Sequence, residues 1–77
     1  MIRVPNTTNA VEVEVVNDYL DFINNGYKVR VAHFDDSLWF ISLIHRWNGN
    51  TIIMRYKGGK ATIEKNRKVV KKIPTNF

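Results

Sequence analysis

His33, Asp35, Asp36 and Ser37 fall within five consecutive residues and carry the side-chain types of a hydrolase: a base, carboxylates to orient it and a hydroxyl nucleophile. Nucleophilic catalysis needs the base within hydrogen-bond reach of the nucleophile and a third group holding the base, and neighbours on one turn rarely achieve this. Asp35 and Asp36 are better explained as turn formers, since a short carboxylate bonds the backbone two residues on. A metal centre is no better supported. His45 stands twelve residues from His33, the chain has no cysteine, and nothing supplies the remaining ligands. Gly58-Gly59 between Lys57 and Lys60 lacks the spacing and the following helix of a phosphate loop, and reads as a basic hairpin tip. The expectation is a protein that is not an enzyme and has no catalytic residues, metal or cofactor.

The stronger signal is charge. From Arg46 onward the chain holds Arg46, Arg55, Lys57, Lys60, Lys65, Arg67, Lys68, Lys71 and Lys72 against Glu64 alone, a net +8. Residues 1–45 hold Arg3, Lys28 and Arg30 against Glu12, Glu14, Asp18, Asp21, Asp35 and Asp36, a net −3. Crowding cations in one half costs self-repulsion, which a polyanion relieves. Cations spaced along a segment meet phosphates and release counterions, so the nine basic residues are the candidate nucleic-acid contacts. Lysines on an edge strand also guard against aggregation, which is the plain alternative. Lys28, Arg30, Arg55 and Lys57 take exposed-parity strand positions and form a second basic surface. Phe34, Phe40 and Trp47 are the rings near them that could stack on bases. Trp39 and Phe40 are expected in the core, whereas Trp47, beside an Asn-Gly turn, is the candidate exposed ring.

These side chains need elements to position them. Asn9 followed by Glu12 resembles a helix N-terminal cap, and Val13, Val16, Leu20 and Ile23, with Tyr19, recur at helical spacing. Glu12, Glu14, Asp18 and Asp21 lie off that stripe, as a solvated face or as an attraction for the basic half of another copy. Gly26 ends the helix, giving a helix over 9–25 after an irregular lead-in at 1–8. Val11 to Val15 also alternates with period two, so a strand over 10–16 is the rival. Tyr27, Val29 and Val31 then alternate with Lys28 and Arg30 as a half-buried strand. Leu38 to Trp47 is apolar on both faces, a central strand covered by the helix on one side and by more sheet or a second subunit on the other. Asn48-Gly49 turns the chain into Thr51–Lys57, with Ile52, Met54 and Tyr56 on one face. Gly58-Gly59 leads into Lys60 to Glu64. Residues 65–72 are either a turn and a last strand or a short basic helix, and Pro74 ends them.

Tyr27-Lys-Val-Arg-Val-Ala, the acidic loop at Asp35-Asp36, Leu38 to Ile44, Thr51 to Tyr56, Lys60 to Glu64 and Val69-Val70 to Ile73 together resemble a small SH3-like barrel of the Tudor sort. The resemblance spans residues 26–73 and implies a closed sheet. The sequence has no second aromatic near Gly58-Gly59 to complete a methyl-reading cage with Tyr56. A helix at 65–72 would instead resemble double-stranded-RNA-binding domains, without that family's basic motifs.

The fold class is therefore α+β: one domain over 1–77, an N-terminal helix followed by an antiparallel sheet of four to five strands over 27–73, which can close as an SH3-like barrel. At 77 residues without disulfides, self-association into a homodimer would add core. No apolar run approaches the ~20 residues of a membrane span, and the N-terminus lacks the form of a signal peptide, so a cytoplasmic protein without a membrane partner is expected. The functional expectation is a small basic protein binding RNA or single strands, because nothing resembles a recognition helix for the major groove. The alternative is a protein target: compact basic chains of this size resemble phage-encoded inhibitors or adaptors that seize a host protein or ribonucleoprotein.

Overall fold

The computed structural model describes residues 4–75. Helix α1 (Ala10–Asn24) is followed by β1 (Tyr27–Phe34), β2 (Leu38–His45), β3 (Thr51–Lys57), β4 (Lys60–Lys65) and β5 (Lys68–Ile73). The strands form one antiparallel meander in the order β1-β2-β3-β4-β5. The sheet stays open, with β1 and β5 as its two edges, rather than closing as a barrel. Residues 1–3 of the expected lead-in lie outside the described residues.

The helix starts where the cap predicts. Asn9 Oδ1 accepts from the amides of Val11 and Glu12 at 3.0 and 3.1 Å, satisfying two N–H groups that lack helical partners. The strand alternative for 10–16 is therefore not adopted. The buried stripe differs from the one expected: Val15 and Tyr19 are fully buried and Val11 and Phe22 partly so, while Val13 is exposed. Val11, Val15, Tyr19 and Phe22 follow i, i+4, i+8 and i+11, the residues that one helix face can present to a sheet.

Alternation sorts the sheet into two faces. Trp39, Ile41 and Leu43 of β2, Ile52, Met54 and Tyr56 of β3, Ala61 and Ile63 of β4 and Ile73 of β5 lie under the helix and form the core. Edge-to-face rings Tyr19–Phe34 and Phe34–Trp39, with centroids 5.8 and 5.2 Å apart, tie the helix to β1 and β2. Phe34 is thus a core-packed ring rather than a stacking platform. Phe40 corrects the expectation in the other direction. It is out of phase with Trp39 and Ile41, so it points away from the helix and is 38% exposed. Nothing among the described residues covers that second face.

Residues 65–72 take the turn-and-strand alternative: Asn66 and Arg67 make a two-residue hairpin turn, with φ of 52° and 70°. A bulge at Val70 shifts the register of β5, so Lys71 pairs with Ile63 on the helix side and Lys72 pairs with Thr62 on the open side.

Candidate nucleic-acid interface

The two halves that differ in charge along the sequence become two layers. Helix α1 carries Glu12, Glu14, Asp18 and Asp21 and no basic residue, whereas the strands carry nine Lys or Arg residues against Glu64. The layers are cross-tied. Lys71 Nζ lies 2.9 Å from Glu14 and 2.8 Å from Asp18. Its pKa is raised above the ordinary lysine value, first by the hydrogen bond from Asp18 and then by that from Glu14. Tyr56 donates from its hydroxyl to Glu12 Oε2 at 2.7 Å. Burial, then the hydrogen bond and charge of Glu12, push the Tyr56 phenol up, partly offset by the backbone of Gly59. Lys71 is thus committed to the helix layer, which separates it from the other eight predicted contacts.

Those eight fall into two groups. Arg55, Lys57, Lys60 and Lys72 lie on the open sheet face. Register places Phe40 opposite Arg55, Arg55 opposite Thr62 and Thr62 opposite Lys72, while Lys57 faces Lys60. Arg55 pairs with Glu64 and stands over Phe40, its guanidinium carbon 5.8 Å from the ring centroid. Apolar Val31, Leu38 and Phe40 are exposed on the same face.

Arg46, Lys65, Arg67 and Lys68 form the second group, at the sheet end where the β2–β3 and β4–β5 turns meet. Asn66 ties the turns together: its Oδ1 accepts from the Thr51 amide at 2.9 Å and its Nδ2 donates to Asn50 Oδ1 at 3.0 Å. Lys65 and Lys68 are direct cross-strand partners, and like charges so placed are destabilising. Arg67 occupies a left-handed position that glycine would take without steric cost.

Trp47 is 81% exposed at this end, as expected, yet its ring is held. Phe22, Tyr27, His45 and Trp47 form a ladder of edge-on rings with successive centroids 5.3, 4.8 and 5.5 Å apart, running from the core to the surface. The Trp47 and Asn48 amides donate to His45 Nδ1, so the imidazole proton sits on Nε2 and donates to Asn25 O at 3.1 Å. Gly26 makes room: a Cβ there would stand 2.8 Å from His45 Nε2 and 3.0 Å from Trp47 Cζ3. The sequence reading expected His45 to be partly buried and missed its role as organiser of the turn. Its spacing from Gly26 and Trp47 becomes informative only once the β1–β2 register is known.

The hydrolase residues do not assemble. His33 Nε2 lies 3.0 Å from Asp35 Oδ2, both side chains being about two-thirds exposed, and Ser37 bonds neither through its hydroxyl. Among the described residues no group of three or more His, Cys, Asp or Glu side chains is placed to hold a metal, and no helix is long and apolar enough to cross a membrane. Comparisons with protein-family models, curated proteins and solved structures find no match for the chain.

Proposed function

We propose that this protein is a non-enzymatic binder of single-stranded nucleic acid, RNA favoured. The observation that carries the reading is the pre-positioned, exposed Trp47 ring beside Arg46, Lys65, Arg67 and Lys68. A flat ring fixed by its neighbours offers a base a stacking surface without the entropy cost of ordering a mobile side chain. The adjacent cations meet the phosphates, and Arg55, Lys57, Lys60 and Lys72 extend the basic track along the open sheet face. Single strands suit this arrangement because their bases are free to stack, whereas duplex bases are already stacked on one another. The test is fluorescence anisotropy with single-stranded RNA, double-stranded RNA and duplex DNA across a salt series. Steeply salt-dependent binding with preference for the single strand supports the reading; equal weak binding of all three that vanishes at moderate salt rejects it.

The exposed apolar residues Val31, Leu38 and Phe40 favour a second reading, an adaptor or inhibitor that binds a host protein or ribonucleoprotein through the sheet face. There, apolar anchors rather than lysines would dominate an alanine scan.

A further inference from the structure

The β5 edge carries a separate feature. From Val69 to Lys71 its outer main-chain side faces away from every other strand of the sheet, and a cleft lies along each face of the strand. On the helix side, Phe22, Ile63 and Val70 floor a cleft of about 350 Å³ whose rim carries Asp18 and Asp21. On the open side, Val69, Lys72 and Thr75 line one of about 390 Å³. Val70, at the bulge, is 59% exposed between them.

We propose that β5 accepts an added strand from a protein partner, an extended segment in which apolar and acidic residues alternate. An added strand bonds through its main chain and sends successive side chains to opposite faces, so two clefts flanking one edge match its period of two. Charge fixes which face is which. Asp18 and Asp21 repel carboxylates from the helix-side cleft, leaving its apolar floor to the apolar side chains. Lys72 on the open side attracts the acidic ones. A second copy does not fit: pairing β5 with itself or with β1 would bring Lys68, Lys71 and Lys72 against their equivalents or against Lys28 and Arg30. This site does not use Trp47 and stands apart from the nucleic-acid reading.

The probe is a blocked, fluorescein-labelled peptide of alternating valine and glutamate. It is compared with a valine–lysine peptide and with the valine–glutamate peptide N-methylated at alternate amides. The expected result is saturable anisotropy for the first, about tenfold or greater weakening for each of the others, and slowed amide exchange at Val69–Lys71. Trp47→Ala should leave peptide binding unchanged, so failure of the RNA reading would not remove this one. No saturation by about 1 mM overturns the proposal, as does equal binding of the N-methylated peptide, since only the main chain of that peptide is blocked.

Discussion

Replacing Arg67 by glycine should move stability and binding in opposite directions. Arg67 has φ of 70°, where an L-residue with a Cβ loses about 1–2 kcal/mol to steric crowding. Glycine removes that strain but adds about 0.4–1 kcal/mol of unfolded-chain freedom, leaving a net gain of roughly 0.5–1 kcal/mol. The Arg67 side chain makes no hydrogen bond or ion pair among the described residues, so little else is lost. For a domain of this size that gain raises Tm by about 2–8 °C, readable by circular dichroism. In the same variant, single-stranded RNA should bind more weakly, and the slope of log K against log salt should flatten by about 0.7, the share of one phosphate contact. A variant that melts lower refutes the strain argument. One that melts higher and keeps wild-type RNA affinity and slope refutes the placement of Arg67 in the interface.

Trp47→Ala should weaken single-stranded RNA binding by about 1–3 kcal/mol while leaving the salt slope and Tm unchanged, because the ring is uncharged and exposed; a changed slope would mean that the ring does not act by stacking. Gly26→Ala introduces a Cβ against His45 and Trp47 at φ of 97° and should lower both Tm and RNA affinity, with its effect on affinity shrinking in a Trp47→Ala background as a double-mutant cycle reads coupling. Tyr56→Phe removes the donor to Glu12 and should cost about 1.5 kcal/mol in urea unfolding, at the low end for a bond to a charged group because Glu12 is only partly buried. Tyr56 and Lys71 both have raised pKa values, so the stability that they contribute is complete below their unfolded values and is lost as pH rises through the folded ones. Denaturation midpoints should therefore fall above about pH 10, less steeply in Tyr56→Phe and Lys71→Met; equal alkaline profiles in all three proteins would contradict the assignment.

Local chemistry was legible in the sequence. The Asn9 cap, the stop at Gly26, the Asn48-Gly49 turn and the strict alternation of Thr51–Lys57 depend on neighbours within a few residues, and each takes the form expected. So does Trp47, whose place beside a tight turn leaves nothing to bury it. The sequence also determined the division of charge, because acids and bases are segregated along the chain. The rest depended on partners distant in sequence. The helix stripe could be drawn through Val13 or Val15, and contact with the sheet selected Val15. Leu38–His45 is apolar at nearly every position, so alternation carries no sign until the helix covers one face, and that choice buried Trp39 and exposed Phe40. The Val70 bulge turned Lys71 toward Glu14 and Asp18 and Lys72 away from them, a split that regular alternation predicts only if the register does not slip. The open sheet, the meeting of the Arg46–Asn50 and Asn66–Arg67 turns, and the ring ladder that holds Trp47 all arise from strand pairing. Their contacts join residues about fifteen to forty apart, a range over which no local sequence period carries information.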